Sequence, residues 1–117
     1  MRLSVFLLPL VLAACGVGHT TVPTGGDAAA GRHDLYALGC GSCHTIPGIT
    51  GARGRVGPSL KGIAGQNYIA GQLPNQPQNL EHWIQHPHAV HPDSLMPELG
   101  VTEAQSRDIA AYLYSLN

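Results

Sequence analysis

The stretch Cys40-Gly41-Ser42-Cys43-His44 decides both the fold and the chemistry of this chain, because it sets an imidazole directly after two closely spaced thiols. This pattern is the attachment signature of a covalent c-type haem: two thioethers fix one porphyrin edge, and the histidine is carried under the iron. A zinc half-site needs further ligands at matching spacing, and a thioredoxin-like dithiol needs a βαβ setting. We therefore predict one covalent haem c on Cys40 and Cys43, with His44 as proximal ligand.

The N-terminal part of the chain has the composition of an export signal followed by a spacer. A positive charge, an apolar run and the small-residue stretch Leu12-Ala13-Ala14-Cys15 predict a signal peptide over residues 1–14. The stretch is similar to the lipobox of bacterial lipoproteins, so we predict lipidation of Cys15; ordinary secretion is the alternative. Residues 15–26 are then a flexible, glycine-rich tether. The haem domain is predicted over residues 27–117.

The composition predicts a small domain that relies on its cofactor for part of its core. The chain has 117 residues, of which one is tryptophan, four are tyrosine and one is phenylalanine, and that phenylalanine lies in the signal peptide. A domain of this size buries only about two-thirds of its unfolded surface, so an apolar macrocycle would supply missing packing. The net charge of −1 provides no basic face, which excludes nucleic acid as a partner.

Capping and breaking residues predict where the helices begin and end. Asp27 is a good N-cap for a first helix, Pro87 ends a second, and the capping box Thr102-Glu103-Ala104-Gln105 opens a third. Glycine- and proline-rich loops separate them, with a short helical turn predicted at Ser59–Ile63. No strand pattern of useful length is present. The predicted helices are Ala28–Leu38, Asn79–His86 and a last one that runs to about Leu116.

Met96 is the candidate for the second axial ligand. It lies in a loop just ahead of the last predicted helix, and Pro97 stiffens the chain behind it. Ligation by histidine and methionine raises the reduction potential and closes the iron to substrates. Two alternatives stay open at this point: Met96 can serve as a gap-filler in the core, and His91 can take its place on the iron.

The remaining histidines suggest a second, weaker possibility. His82 and His86 are four residues apart on one predicted helix, and His88 follows two positions later, so a surface copper or zinc site is an alternative. No carboxylate or thiolate is well placed to complete it. Solvent-exposed polar histidines are the simpler interpretation of this cluster.

From about residue 28 to residue 116 the chain resembles the class I monohaem cytochromes c, most closely the cytochrome c domain of caa-type oxidase subunit II. The resemblance implies a small all-α fold in which helices and loops wrap one covalent haem, and in which Gly31 and Tyr36 of the first helix meet Tyr112 of the last. It is carried by LGCGSCHTIPGITGARGRVGPSL and LPNQPQNLEHWIQHPHAVHPDSLMPELGVTEAQSRDIAAYLYSL.

The resemblance also implies roles for residues around the haem. It makes the Pro58 carbonyl the partner of His44 Nδ1, a bond that fixes the imidazole and raises its basicity. It also places Trp83 and Arg55 against the haem and its propionates. Plain core packing for Trp83 and an exposed loop position for Arg55 are the alternatives.

Together these features predict an electron carrier rather than an enzyme. The sequence holds the haem module without the transmembrane and copper-binding parts of the oxidase subunits, so we expect a separate, lipid-anchored carrier in the periplasm or extracytoplasmic space. The expected redox partners are a quinol-oxidising complex and a terminal oxidase, and no small-molecule substrate is expected. The alternatives are a haem subunit of a larger oxidoreductase complex, or an open-site haem enzyme or gas sensor if Met96 is not a ligand.

Overall fold

Four helices and one very short hairpin make up the fold in the computed structural model, which describes residues 22–116. The signal peptide, Cys15 and most of the predicted tether lie outside the described residues. Within residues 22–116 no helix is long and apolar enough to cross a membrane. The elements are α1 (Ala28–Ala37), a 3₁₀ turn (Cys40–Ser42), a second 3₁₀ turn (Ile63–Gly65), β1 (Tyr68–Ile69), β2 (Leu73–Pro74), α2 (Pro77–Gln85), α3 (Pro87–Val90) and α4 (Glu103–Tyr114).

Helix α1 begins at the predicted cap and leads directly into the haem signature. An Asp27 side-chain oxygen accepts from the backbone N–H groups of Ala29 and Ala30, at 2.8 and 3.3 Å. The helix ends before Gly39, which adopts the left-handed conformation at φ 73° that glycine tolerates best. The helix therefore stops at this turn, and Cys40 begins the following 3₁₀ turn.

Helix α4 begins at the predicted capping box and crosses α1. Thr102 and Gln105 exchange side-chain-to-backbone hydrogen bonds, each 3.1 Å long. A Cβ atom added to Gly31 would lie 1.9 Å from the carbonyl oxygen of Asp108, so the two backbones approach as closely as glycine allows. The close contact between the helices is therefore made by the backbone at Gly31.

The two tyrosines expected to share this helix contact differ in their surroundings. The hydroxyl of Tyr112 donates to the Pro47 carbonyl at 2.7 Å, which ties α4 to the loop after the haem signature. Tyr36 is 64% exposed. Tyr36 therefore lies largely at the surface, while Tyr112 anchors a loop.

Four local features differ from the sequence predictions, and the first is α3, which begins at Pro87, where a loop was predicted. Helix α2 begins two residues early, because Pro77 fits the first turn of a helix, where its missing N–H costs nothing. The turn predicted at Ser59–Ile63 lies instead at Ile63–Gly65, after Gly62 at φ 70°. The antiparallel pairing of Ile69 with Leu73 was not predicted, since two-residue strands show no periodicity.

The described end of the predicted tether packs on the last helix. The Thr24 hydroxyl donates to the Arg107 carbonyl at 3.1 Å, and the Asp27 N–H donates to the Asp108 carboxylate at 2.7 Å. A Cβ atom on Gly26 would lie 2.2 Å from the Arg107 carbonyl oxygen. Residues 24–26 therefore belong with the helical domain.

Candidate functional site

A cavity of about 960 Å³ opens among the helices and the loops that join them. Most of its lining is apolar, and several of these residues also belong to the buried core, among them Leu35, Leu80, Ile109 and Leu113. Ligand pockets typically span about 300–1,000 Å³, so this cavity is large enough for a sizeable apolar group. It brings together six of the predicted site residues: Cys40, Cys43, His44, Pro58, Trp83 and Met96.

The two cysteines and the histidine lie on one tight turn at the wall of this cavity. The N–H groups of Cys43 and His44 both donate to the Cys40 carbonyl, at 3.2 and 3.0 Å. Both cysteine side chains are half-buried, and the two form no disulfide with each other. Burial raises the pKa of the Cys40 thiol above its usual value. This burial disfavours the charged thiolate relative to a neutral sulfur at this position.

A glycine-rich segment crosses over this turn and holds it from the outside. The Gly54 N–H donates to the Gly41 carbonyl at 3.1 Å, and the Gly57 N–H donates to the Cys43 carbonyl at 2.8 Å. A Cβ atom on Gly54 would lie 2.4 Å from the carbonyl carbon of Cys43. The sequence predicts this segment only as a loop around the haem. The structure shows that glycine is needed at position 54, because the loop backbone there lies directly against the backbone of Cys43.

The ring of His44 is fixed by the same segment. Its Nδ1 atom lies 2.7 Å from the carbonyl oxygen of Pro58, which can only accept a hydrogen bond. Nδ1 therefore carries the proton, and Nε2 keeps a lone pair for a metal. A Cβ atom on Gly57 would lie 2.4 Å from Cε1 of His44. The contact with Pro58 is the one that the resemblance implies, whereas sequence reasoning missed Gly57.

Met96 reaches the cavity from the loop between α3 and α4. Its side chain is half-buried, and its backbone N–H donates to the hydroxyl of Ser94 at 3.1 Å. Met96 and His44 line the same space. A neutral imidazole and a thioether are both suitable donors for a haem iron.

His91 also lines the cavity, but its ring is engaged elsewhere. Its Nε2 atom lies 2.5 Å from the carbonyl oxygen of Ala70, in the hairpin turn. The Trp83 ring meets it edge-on, with ring centroids 5.8 Å apart. Ligation through Nε2 would break the bond to Ala70, so the geometry favours Met96 over His91 as the second donor.

The site therefore carries two thiols, an imidazole with a free Nε2 and a thioether around one apolar cavity, and the Cytochrome c family model matches residues 28–117. The chain belongs to the cytochrome c family. As a cytochrome c it is an electron-transfer haem protein, with haem c held covalently at the Cys40 and Cys43 signature.

Two relatives support the same assignment. The chain is 34% identical over 95 residues to Cytochrome c oxidase subunit 2 of Alkalihalophilus pseudofirmus, a match that covers 80% of this chain and 27% of that protein. It is 35% identical over 104 residues to Cytochrome c2 of Rhodopila globiformis, covering 78% of this chain and 94% of the relative. This cytochrome therefore spans about a quarter of the oxidase subunit and nearly all of the cytochrome c2.

The surface histidines of this cytochrome do not form a metal cluster in the part of the chain that the structure describes. His82 and His86 are exposed, with ring centroids 5.5 Å apart. Among residues 22–116 no group of three or more histidine, cysteine or acidic side chains is placed to hold a metal ion. The exposed-histidine interpretation is the one that the structure supports.

Arg55 stands apart from the other predicted site residues. It is exposed, and it is not among the residues that line the cavity, although the neighbouring Val56 and Gly57 are. Its contact with a haem propionate stays a prediction.

Proposed function

We propose that this cytochrome c is a membrane-tethered electron carrier whose iron is closed by His44 and Met96. The observation that carries the proposal is the shared cavity, in which the His44 ring is held with its Nε2 free and Met96 lines the same space. When bound, haem c supplies one-electron chemistry. Two protein ligands leave no position for a substrate, so the protein moves electrons and makes no bonds.

The residues around the cavity have three tasks in this proposal. The Pro58 carbonyl orients the His44 imidazole and raises its basicity. Buried apolar residues such as Leu80 and Ile109 exclude water and keep the local dielectric low. A low dielectric disfavours the more highly charged oxidised state and so raises the reduction potential.

A lipid anchor at Cys15 would keep the carrier near its partners. The signal-like first 14 residues and the lipobox-like stretch support this part of the proposal. Confinement by a short tether raises the effective concentration of a partner to as much as the millimolar range, without new contacts. A net charge of −1 gives little long-range steering, so confinement is the more important factor.

A terminal oxidase is the proposed acceptor and a quinol-oxidising complex the proposed donor. The support for the acceptor is the similarity to a protein named Cytochrome c oxidase subunit 2. The same similarity favours a second candidate, a haem subunit held in a larger oxidoreductase complex. Purification of the full chain after mild detergent extraction separates the two, because a complex subunit would leave the column with a stoichiometric partner.

The ligand part of the proposal is tested by near-infrared magnetic circular dichroism and reduced-minus-oxidised spectra of the holoprotein. We expect the sulfur-to-iron charge-transfer band of ferric haem with one histidine and one methionine, and no carbon monoxide binding to the reduced protein at neutral pH. A bis-histidine spectrum would move the second ligand to a histidine. Ready carbon monoxide binding would support an open-site enzyme or sensor.

The carrier part is tested by stopped-flow oxidation of the reduced protein by native membranes that contain a terminal oxidase. The full chain and a Cys15→Ser variant form the matched pair. We expect the full chain to be oxidised faster, since only it can be confined by a lipid anchor. Equally slow oxidation of both proteins would exclude the oxidase as acceptor.

A further inference from the structure

His88 lies beside the loop that carries Met96 and contacts it on both sides of the methionine. Its Nε2 atom lies 3.1 Å from the Ser94 carbonyl oxygen, two residues before Met96. Its Nδ1 atom lies 4.0 Å from the Glu98 carboxylate, two residues after Met96. The His88 ring therefore contacts the loop both before and after Met96.

The loop has few other attachments to the rest of the domain. The Ser94 N–H donates to the His91 carbonyl at 3.0 Å, and the Met96 N–H donates within the loop to the Ser94 hydroxyl. In the described chain, His88 provides the only side-chain hydrogen bond that residues 94–98 receive from outside that segment. Loss of His88 would leave the loop attached mainly through its own backbone.

We propose that His88 is a positioning residue that holds residues 94–98 and so keeps Met96 in place on the iron; this inference rests on the proposed ligation by Met96. Because the Ser94 carbonyl only accepts, His88 Nε2 carries a proton and donates to it. The contact with Glu98 is the weaker of the two, since it is long, both side chains are nearly half exposed, and the two groups attract each other only when Nδ1 also carries a proton.

The proposal gives the predicted histidine cluster a role other than metal binding. His82 and His86 have no hydrogen bond from their side chains in the described part of the chain, and their rings contact each other. His88 is the member of the cluster that reaches the methionine loop. In the sequence His82, His86 and His88 resemble a set of metal ligands. In the fold, His88 contacts the methionine loop, while His82 and His86 contact each other.

The test is a titration of ferric holoprotein with imidazole, followed by the loss of the sulfur-to-iron charge-transfer band. Imidazole can bind the iron only after Met96 leaves, so its apparent affinity reports how firmly the loop is held. We expect His88→Ala to raise this affinity roughly three- to tenfold, as the loss of one hydrogen bond predicts. His88→Gln should recover part of the effect, because its amide can donate to Ser94.

Two further variants complete the experiment. Glu98→Gln should change the imidazole affinity less than His88→Ala does, and His82→Ala, which removes an exposed histidine with no contact to the loop, should leave it unchanged. Equal affinities for His88→Ala and His82→Ala would overturn the positioning role while leaving Met96 ligation intact. Absence of the charge-transfer band from the unmutated protein would instead overturn the proposed ligation, and the role of His88 with it.

Discussion

The Nδ1 atom of His44 lies 2.7 Å from the carbonyl oxygen of Pro58, so the backbone of a distant loop sets both the orientation and the tautomer of the imidazole. Gly57 makes the arrangement possible, because a side chain there would occupy the space of the ring. The haem signature supplies the imidazole, and the loop 14 residues later determines how it is presented.

Gly57→Ala should disturb this arrangement. The new Cβ atom would lie 2.4 Å from Cε1 of His44, so the ring or the loop must shift. We expect a loss of about 1–3 kcal/mol in the free energy of unfolding, as overpacking typically costs, together with a changed reduction potential. Denaturant unfolding and potentiometry of the holoprotein measure the two effects.

The control for that variant is Gly65→Ala, at a glycine where an added Cβ atom meets nothing within 4 Å and where φ is not positive. It should leave the potential unchanged and alter stability little. An equal change of potential in both variants would show that Gly57 has no special relation to His44.

If Met96 is the second ligand, as proposed, Met96→Ala should open the iron. Without the thioether the charge-transfer band disappears, the reduction potential falls, and the reduced protein binds carbon monoxide. Spectroscopy and potentiometry of the holoprotein provide the measurement. Val22→Ala is the control, because this exposed side chain does not line the cavity. An unchanged potential in Met96→Ala would assign the sixth position to a histidine.

Much of the fold could be predicted from the sequence where the signal is local. Asp27 and Thr102 marked the starts of the first and last helices, because a cap acts on N–H groups only two or three residues away. The haem signature is equally local. These features need no knowledge of the distant chain.

The loop around His44 could not be predicted in the same way, because its contacts join residues far apart in sequence. A glycine in a sequence shows that backbone freedom is available, but it does not show which backbone it will approach. Gly54 against Cys43 and Gly57 against His44 became visible only when the chain was folded. The contact of His88 with Ser94 could not be predicted from the histidine cluster for the same reason, because it depends on how the loop folds back.

Gly31→Ala should destabilise the protein even though alanine is the better helix former. In an exposed helix the change would stabilise by about 1 kcal/mol. Here the added Cβ atom would lie 1.9 Å from the Asp108 carbonyl oxygen, so α1 and α4 must separate. We expect a net loss of about 1–3 kcal/mol in the free energy of unfolding, measured by chemical denaturation. A stabilising effect would contradict the close helix crossing.

Tyr112→Phe should weaken the attachment of α4 to the loop at Pro47. The hydroxyl donates at 2.7 Å in a partly buried setting, and its removal leaves the Pro47 carbonyl without that donor. We expect a loss of about 0.5–1.5 kcal/mol in the free energy of unfolding. Tyr36→Phe is the matched control, since that side chain is 64% exposed and should show no measurable loss. Equal effects would mean that the Pro47 bond contributes nothing to stability.

Tyr114 is a second buried tyrosine, and its side chain links the C-terminal end of α4 to the loop before α2. Its hydroxyl donates to the Asn75 side-chain oxygen at 2.8 Å, and the Asn75 amide donates to the carbonyls of Ile63 and Gln66, each at 2.8 Å. Burial, with a smaller contribution from the negative charge of Glu81, raises the pKa of Tyr114 to about 12. Ionisation is therefore resisted in the folded state.

The raised pKa predicts a specific dependence of stability on pH. In the unfolded chain a tyrosine ionises with a pKa of about 10, so the stabilising contribution of neutral Tyr114 is complete below that pH. It is lost as pH rises from there through about 12, because the unfolded state releases its proton first. The free energy of unfolding of the unmutated protein should therefore fall relative to that of Tyr114→Phe over this interval. A constant difference between the two proteins across the interval would show that the hydroxyl is not held in its neutral form by the fold.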